Sequence, residues 1–519
     1  MNRTALIQQL ESSRHFDIII IGGGATGLGA AVDASARGYS TLLVEAFDFA
    51  QGTSSRSTKL VHGGVRYLQQ GNIKLVMEAL KERGTLKKNA PHLVKNQSFI
   101  VPNYKWWEGP YYGLGLKVYD WMSGSLGLGT SEWLSAEEVL QCAPTLDPQG
   151  LHGGVRYHDG QFDDARLAIH LAQTAVDQGA VVLNYCRVTG LLKADGKISG
   201  IALRDTISEK EYEIQGAGLI NATGVFSDSV QRMDDPGHTE TLAPSQGIHL
   251  VLDRSFLPGD TAIMIPHTDD GRVLFAVPWH QKVIVGTTDT PVASIDINPL
   301  PKEEEIRFLL QHASRYLTKD PKPKDIRSVF AGLRPLVKST AKSTAALSRD
   351  HALLISASGL VSVIGGKWTT YRKMAEDAVN TAAIQARLPY RECITENLRV
   401  HGCLPTDDFT SPGYYYGSDR PRVEKLKQEN PQWAEVLHPA LPYTFAEVIW
   451  AVREEQCQTL EDALSRRTRA VLLDAEAAIE AAPAVARCMA AEMHKNDDWI
   501  REQLLSFNTI ARQCLPGGH

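Results

Sequence analysis

The chain has 519 residues, of which 43% are hydrophobic and 22% charged, and its net charge is −6. This length predicts two or three domains, and the slightly acidic balance excludes a general attraction to nucleic acid. The seven cysteines are scattered and never form a C-x-x-C pair, which favours free thiols in a reducing compartment over a zinc site or a disulfide framework.

No apolar run reaches the ~18 residues that are needed to cross a bilayer. The N-terminus, MNRTALIQQLESSRHFD, is polar and lacks the apolar core of a signal peptide. We therefore expect a cytoplasmic protein whose only contact with a membrane is peripheral.

The first elements of the chain predict a dinucleotide-binding unit. Residues 16–21 form an apolar run typical of a buried strand, the glycine turn 22–27 follows, and residues 28–37 are helix-forming. A second strand over 41–44 then ends at Glu45. Strand, glycine turn, helix, strand and terminal acid, in this order, are the parts of a βαβ unit that binds a dinucleotide.

The glycines of the turn have separate roles. Gly22 permits the tight turn, Gly24 lets a pyrophosphate approach the backbone, and Gly27 allows close packing of helix and strand. The helix N-terminus presents free N–H groups to that pyrophosphate. Glu45, 21 residues after Gly24, can accept both hydroxyls of an adenosine ribose and would repel the 2′-phosphate of NADP.

Two further stretches favour FAD over NAD. Residues 52–64, GTSSRSTKLVHGG, are rich in hydroxyl groups and glycine and can line the rest of an extended dinucleotide and its isoalloxazine ring. The segment Gly365-Gly366-Lys367 precedes a helix, and the helix N-terminus or the lysine can stabilise the negative charge of a reduced flavin. No second G-x-G-x-x-G is present, so we expect the electrons to leave by a route other than NAD(P)H.

Separated pieces of the remaining chain complete the cofactor domain. Buried-strand runs and a long helix suit this domain, whereas the short alternating runs between them are typical of an antiparallel sheet. The expected strands of the cofactor domain are 181–185, 198–204, 213–220 and 360–364, its helix is 370–387, and the antiparallel strands are 249–252, 273–277 and 283–285.

We therefore predict an α/β fold with a Rossmann-like FAD-binding domain, an inserted antiparallel-sheet substrate domain and a C-terminal helical cap domain. A segment rich in turn residues separates the cap from the rest. The predicted FAD-binding pieces are about 14–75, 150–235 and 325–387, the substrate pieces are about 76–149 and 236–324, the linker is 388–420 and the helical domain is 421–519.

A set of motifs carries a specific resemblance. In chain order they are GGGATGLGAA, GTSSRSTKLVHGGVRYL, YHDGQFDDARL, NATGVFSD, VGTTDT, AGLRPLV, LSRDH and GGKWTTYRKMAEDAV. Together they resemble FAD-dependent, quinone-linked glycerol-3-phosphate dehydrogenases, and the similarity runs from about residue 14 to about residue 505. The resemblance implies oxidation of sn-glycerol 3-phosphate to dihydroxyacetone phosphate by hydride transfer from C2 to flavin N5, with the electrons passed to a membrane quinone.

The resemblance also implies the residues of the site. A dianionic phosphate requires Arg and Lys, and Arg334 and Arg349 match positions at which the family gathers cations. A histidine with a pKa near neutrality suits removal of the hydroxyl proton. We choose His249 for this role and keep His62 as the alternative. The implied catalytic residues are His249, Arg334 and Lys367, and the implied substrate contacts are Tyr67, Arg272, Arg334, Arg349, Lys367 and Thr370.

The implied cofactor contacts come from the glycine turn, the hydroxyl-rich run and the later glycine motifs. No histidine lies in a metal-binding pattern, so we predict no metal. The cofactor contacts are Gly22, Gly24, Thr26, Gly27, Glu45, Ser54, Ser55, Ser57, Thr58, Lys59, His62, Gly63, Gly64, Val188, Ala222, Gly224, Gly332, Gly366, Lys367 and Trp368.

The stretch 104–129 holds three Trp and four Tyr. Amphipathic rings suit a membrane interface, but they equally suit the core of the substrate domain or a subunit contact in a homodimer. With the resemblance, we expect peripheral membrane contact at the cytoplasmic side of the cell membrane.

Two alternatives to the quinone-linked enzyme stay open. One is glycerol-3-phosphate oxidase, which uses O₂ as acceptor and resembles this chain around the flavin. The other is a flavin-binding module without turnover, and the joint presence of Arg334, Arg349, Lys367 and His249 argues against it.

Overall fold

The structure, a computed structural model, describes the chain except for residues 65–71, 106–107, 267, 270, 339–350, 407 and 519, and it leaves out the side chains of 108–112 and 125. Within the described part the strands are β1 (His15–Ile21), β2 (Thr41–Val44), β3 (Leu60–Val61), β4 (Val94–Asn103), β5 (Glu132–Ser135), β6 (Gly153–Phe162), β7 (Val181–Leu183), β8 (Cys186–Ala194), β9 (Lys197–Asp205), β10 (Glu211–Asn221), β11 (Ser245–Asp253), β12 (Ala262–Ile265), β13 (Leu274–Trp279), β14 (Lys282–Gly286), β15 (Thr290–Pro291), β16 (Ile326–Arg334), β17 (His351–Ile355) and β18 (Val361–Gly365). The helices are α1 (Arg3–Ser12), α2 (Ala25–Ala36), α3 (Ile73–Asn89), α4 (Glu108–Ser123), α5 (Ala136–Cys142), α6 (Asp164–Asp177), α7 (Ser227–Asp234), α8 (Glu303–Ser314), α9 (Tyr371–Gln385), α10 (Arg420–Glu429), α11 (Phe445–Glu454), α12 (Ala470–Leu473), α13 (Ala475–Glu492) and α14 (Asp497–Arg512).

Eight of the described strands form a first sheet around β1. Its order is β17-β18-β10-β1-β2-β7, and β8 and β9 continue from β10. The strands β18, β10, β1, β2 and β7 are parallel, so their carboxyl ends share one edge. Residues 18–21 of β1 are isoleucines and all are buried, because helices α2, α6 and α9 cover one face of the sheet and α1 packs against the other.

Ten of the described strands form the second sheet. Its order is β15-β11-β14-β13-β12-β4-β6-β3, β16 pairs with β11, and β5 pairs with β6. The pairs are antiparallel except for β12 with β4, which are parallel. Helices α5 and α8 pack against this sheet and bury a separate apolar core. The predicted α/β fold with an antiparallel-sheet region is confirmed, with this one parallel pair added.

The helices α11, α13 and α14 continue the core of the first sheet. Val448 of α11 and Val485 of α13 belong to the same buried cluster as Ile18 of β1 and Leu28 of α2. The predicted C-terminal helical domain is therefore confirmed, and it shares an apolar core with the cofactor domain.

The predicted boundaries between the FAD-binding and substrate pieces remain a prediction. Strands β6 and β16 lie within the ranges predicted for the FAD-binding pieces, but both pair with strands of the second sheet. A buried strand run does not reveal which sheet it joins, because both sheets have apolar faces.

Helix α4 lies within the aromatic stretch 104–129. Its residues Leu114, Val118 and Trp121 are exposed, whereas Leu116 and Tyr119 are buried. Trp106 and Trp107 lie outside the described residues. Across the described ranges, every helix is too short or too polar to cross a membrane.

Candidate active site

Four of the predicted cofactor residues follow directly on strands of the first sheet. Gly22 follows β1, Glu45 follows β2, Ala222 follows β10 and Gly366 follows β18. Because these strands are parallel neighbours, the four residues lie along one carboxyl edge. In open α/β sheets this edge is where ligands bind.

The glycine turn is closed so tightly that two of its positions require glycine. Gly22 has φ +112°, which favours a residue without Cβ, and a Cβ at Gly27 would lie 1.8 Å from the carbonyl oxygen of Gly22. Helix α2 begins after Gly24, which has no side chain to cap it, and its first N–H donates to Ser54 Oγ at 2.9 Å. The first turn of α2, which contains Thr26, therefore forms an anion site at the sheet edge.

Glu45 lies beside this turn. Its carboxylate accepts hydrogen bonds from the N–H groups of Gly23 at 2.6 Å and Phe47 at 2.9 Å. Burial raises the pKa of Glu45, and the backbone donors oppose that shift. A carboxylate held next to the start of α2 fits the ribose of an adenine dinucleotide. The residues present therefore fit the adenosine and pyrophosphate half of FAD.

The loop 52–64 is anchored by a buried ion pair. Lys59 is fully buried and has φ +62°. Its ammonium group donates to Asp164 at 2.7 Å and to the carbonyl oxygen of Ser55 at 2.6 Å, and the Ser57 hydroxyl donates to the same carboxylate at 2.7 Å. The side chain of Lys59, a predicted cofactor contact, thus stabilises the loop and does not line the cavity described next.

A cavity of about 190 Å³ is lined by residues from both sheets. It brings together the loop 52–64, the middle of β11, the end of β16 and the turn after β18. Trp368 in that turn donates its indole N–H to the carbonyl oxygen of Ser54 at 2.9 Å, so the turn and the loop hold each other. The predicted residues that line the cavity are Ser57, Thr58, His62, His249, Gly332, Arg334, Gly366, Lys367 and Trp368.

The cavity is also lined by residues that we did not predict. Thr53, Arg56 and Thr369 lie inside the motifs quoted above, so their neighbourhood was a signal. Phe275 carries no such signal, because an apolar side chain at a cavity has the same pattern as a core residue. Leu336 lies inside the quoted motif AGLRPLV, but its apolar side chain is typical of a core residue. The remaining unpredicted residues are Leu60, Gly247, Pro335 and Gly365.

His249 lies in the middle of β11 and is buried. Its ring stacks on Phe330 with 4.9 Å between the centroids, and its Nε2 lies 2.9 Å from the Thr58 hydroxyl. Burial holds the pKa of His249 well below its ordinary value, and the positive charges of Arg334 and Lys59 lower it further. The expected pKa near neutrality is therefore wrong, and the ring is neutral at physiological pH.

The guanidinium of Arg334, at the end of β16, is held in place by two neighbouring side chains. One guanidinium nitrogen lies 3.3 Å from the carboxylate of Asp289, and the other donates to Thr287 Oγ1 at 2.9 Å. A Cβ at Gly247 would lie 2.2 Å from the guanidinium, so glycine there allows the arginine to approach the strand. Lys367 follows two glycines with positive φ and lines the same cavity. The predicted cations Arg334 and Lys367 and the predicted base His249 therefore line the same cavity.

The other predicted residues that the structure describes do not line this cavity. The guanidinium of Arg272 lies 5.8 Å from the ring centroid of Phe308, and the buried Thr370 donates its hydroxyl to the carbonyl oxygen of Lys367 at 3.3 Å. Val188 is buried in β8, whose first N–H donates to the carbonyl oxygen of Glu45. Tyr67 and Arg349 lie outside the described residues. Ser55, Gly63, Gly64 and Gly224 lie in the connections after β2, β3 and β10.

Two family models match this chain. The model of FAD dependent oxidoreductases matches residues 17–372, and the model of the C-terminal domain of alpha-glycerophosphate oxidase matches residues 361–499. The first match covers more than half of the chain, so the chain belongs to the FAD-dependent oxidoreductases and its cofactor is FAD.

Relatives and a solved structure extend this match to nearly the whole chain. The mitochondrial glycerol-3-phosphate dehydrogenase of Macaca fascicularis is 39% identical over 539 residues, with 97% of this chain and 74% of that protein covered. The mitochondrial enzyme of Schizosaccharomyces pombe is 37% identical, with 96% and 87% covered. The structure of glycerol-3-phosphate dehydrogenase from Bacillus halodurans complexed with FAD matches with a TM-score of 0.81 and 29% identity, with 99% and 97% covered. This chain belongs to the family of FAD-dependent glycerol-3-phosphate dehydrogenases.

Proposed function

We propose that this chain oxidises sn-glycerol 3-phosphate to dihydroxyacetone phosphate and passes the electrons to a membrane quinone. The observation that carries the proposal is the cavity in which His249, Arg334 and Lys367 meet beside the carboxyl edge of the first sheet. Two cations suit a dianionic phosphate, and a buried imidazole suits removal of a hydroxyl proton.

Different residues of this chain would bind the cofactor, bind the substrate and accept the proton. The glycine turn and Glu45 would hold the adenosine and pyrophosphate of FAD, which supplies a two-electron acceptor when bound. Arg334 and Lys367 bind and orient the phosphate of the substrate, which fixes C2 and its hydroxyl in the cavity. His249 is neutral, so it is in the protonation state of a base.

Anaerobic reduction of the flavin tests the substrate. The purified yellow protein, mixed with sn-glycerol 3-phosphate without air, should lose its flavin absorbance, whereas unphosphorylated glycerol at the same concentration should leave the protein yellow. The two alcohols differ in the phosphate that Arg334 and Lys367 are proposed to bind. Equal rates of bleaching by both alcohols would contradict the proposal, and so would no bleaching by either.

The exposed apolar residues of α4 support a quinone rather than O₂ as acceptor. Leu114, Val118 and Trp121 lie four and three residues apart and so share one helix face, and all three are exposed. Such a face suits the surface of a bilayer, where a lipid-soluble quinone can be reached. We therefore propose peripheral contact with the cytoplasmic side of the cell membrane. Glycerol-3-phosphate oxidase is the alternative, and oxygen consumption at the rate of flavin reduction would favour it. A homodimer stays a prediction.

A further inference from the structure

Neither ring nitrogen of His249 is open to a ligand in the cavity. Nδ1 is buried and has no hydrogen-bond partner among the described residues. Nε2 lies 2.9 Å from the Thr58 hydroxyl, which covers it. The flat faces of the ring are confined as well, because Phe330 stacks on the ring and Gly286 lies so close that a Cβ there would be 2.2 Å from it. A substrate hydroxyl in the cavity would therefore have to displace the Thr58 hydroxyl to contact Nε2 directly.

The side chain of Thr58 lies between the cavity and His249. It lines the cavity and is partly exposed. The residues on either side of it are fixed, because Ser57 and Lys59 both bond to the buried carboxylate of Asp164. The Thr58 hydroxyl is thus held between the cavity and Nε2 by a loop that cannot move without breaking a buried ion pair.

We propose that Thr58 is a catalytic residue that relays the proton of the substrate hydroxyl to His249. The substrate O–H bond breaks and its proton passes to the Thr58 oxygen, while the Thr58 O–H bond breaks and its proton passes to Nε2 of His249. The C2–H bond breaks and its hydrogen leaves with the electron pair as a hydride, for which FAD, when bound, would be the acceptor. The alcohol becomes a carbonyl and the imidazole becomes an imidazolium. The inference rests on the proposed function, because it requires a substrate with an oxidisable hydroxyl.

The relay requires one tautomer of His249. The Thr58 hydroxyl can donate only to an unprotonated Nε2, so the ring proton must lie on Nδ1. That Nδ1–H lacks an acceptor among the described residues both before and after the transfer. Burial disfavours the imidazolium relative to the neutral ring, so proton uptake depends on the change in the surrounding charges when substrate binds. In the other tautomer the proton would have to enter at the buried Nδ1, which the cavity does not reach.

The surrounding charges link the relay to the presence of substrate. Besides burial, the positive charges of Arg334 and Lys59 disfavour a proton on His249. Lys59 is already paired with Asp164. A phosphate dianion bound to Arg334 would offset the positive charge of that arginine. The proton affinity of His249 would then be higher with substrate bound, when there is a proton to accept.

Two substitutions at Thr58 test the relay. Thr58→Val keeps the shape of the side chain and removes the hydroxyl, whereas Thr58→Ser keeps the hydroxyl. In anaerobic stopped-flow experiments with glycerol 3-phosphate, we expect Thr58→Val to slow flavin reduction about 100-fold with little change in KM, and Thr58→Ser to recover most of the rate. Thr261→Val is the matched control, since Thr261 makes a single side-chain hydrogen bond to Ser98 and does not line the cavity. Flavin content and melting temperature should be the same in all variants.

A double variant distinguishes a shared route from two separate effects. If Thr58 and His249 act in one relay, Thr58→Val combined with His249→Gln should be no more than about threefold slower than the slower single variant. Multiplication of the two single effects would overturn the proposal. So would a Thr58→Val protein that is reduced at the parental rate, or one that loses its flavin, because the hydroxyl would then serve the cofactor. Failure of the proposed function looks different, because the parent itself would not be bleached by glycerol 3-phosphate.

Discussion

At the scale of single residues, neighbouring side chains hold the guanidinium of Arg334 in place, as the proposed phosphate site requires. Asp289 and Thr287 fix both ends of its guanidinium, and Asp289 in turn accepts a hydrogen bond from Ser245 on the adjacent strand. A planar guanidinium held in this way loses little conformational entropy when it binds a phosphate. Asp289 also offsets part of the positive charge of Arg334, so in the proposed phosphate site Lys367 would supply much of the net attraction for a dianion.

Removal of the Arg334 side chain should weaken the interaction with substrate by about 2–5 kcal/mol, as for one partner of a buried charge pair. This corresponds to a loss in kcat/KM of roughly 30-fold or more. The measurement is steady-state turnover of glycerol 3-phosphate by Arg334→Ala with a soluble dye as acceptor. Arg315→Ala is the control, because Arg315 pairs with Asp269 at the exposed surface. A parental kcat/KM in Arg334→Ala would remove Arg334 from the phosphate site.

Some residues of the site could be predicted from local sequence and some could not. The roles of Gly22, Gly27 and Glu45 follow from spacing, because a strand, a tight turn and a helix dictate them within thirty residues. The contact between Thr58 and His249 joins residues 191 positions apart, and no local pattern encodes it. The low pKa of His249 has the same origin, since it depends on burial and on cations from other elements.

At the scale of elements, the segment predicted as a linker is attached to the cofactor domain. His401 bonds to Asp177 of α6 through Nδ1 at 2.6 Å and to Asp419 through Nε2 at 2.7 Å, and its backbone N–H donates to Thr174 Oγ1. Burial alone would lower the pKa of His401, but the hydrogen bonds to the two carboxylates raise it to about 9. The imidazolium therefore joins α6 to the segment that leads into the C-terminal helices.

This attachment should make stability depend on pH. The folded pKa of about 9 lies above the unfolded value of about 6.5, so the contribution of His401 is complete below pH 6.5 and is lost as pH rises through 9. The melting temperature of the parent should fall more between pH 6.5 and 9.5 than that of His401→Gln, which carries no charge. His15→Gln, at an exposed histidine, should follow the parent. An equal fall in parent and His401→Gln would contradict the assignment.

The elements themselves were predictable because their patterns are strong. Strand 41–44 has the predicted bounds and β1 begins one residue earlier than predicted, since uninterrupted runs of isoleucine or leucine are typical of a buried strand. Helix α9 begins only at Tyr371, because residues 368–370 form a tighter turn. The partners of β6 and β16 were not predictable, because pairing is decided by the whole sheet and not by the strand.

At the scale of the whole molecule, buried ion pairs join the segment between α11 and α12 to two parts of the chain near the predicted cofactor contacts. Asp48, three residues after Glu45, pairs with Arg467 at 2.7 Å, and Asp163, next to the Asp164 that anchors the loop 52–64, pairs with Arg469 at 2.9 Å. All four side chains are buried, and loss of one partner of such a pair is strongly destabilising. These pairs join residues about 300 or more positions apart, so charge patterning along the sequence did not reveal them.

The outer surface of α4 carries large apolar side chains that are exposed. Trp121 is 83% exposed and Leu114 is 69% exposed, and the exposed Lys117 lies on the same helix. Apolar area that enters a bilayer contributes about 25 cal/mol per Å², and a lysine near anionic lipid adds roughly 1 kcal/mol. Residues of this kind can hold a protein at a membrane surface reversibly, although no single one does so alone.

Binding to liposomes should therefore depend on this face of α4. The parent should pellet with anionic liposomes at low salt, and Leu114→Ser combined with Trp121→Ser should pellet several-fold less, since most of the exposed apolar area is lost. Tyr390→Ser is the matched control, because Tyr390 is 84% exposed but lies in the segment between α9 and α10. Flavin reduction by glycerol 3-phosphate should be the same in all three proteins, because the cavity is lined by other elements. If the parent stays in the supernatant, or if Tyr390→Ser weakens pelleting as much as the α4 variant, the membrane contact at α4 is wrong and the quinone assignment loses its structural support.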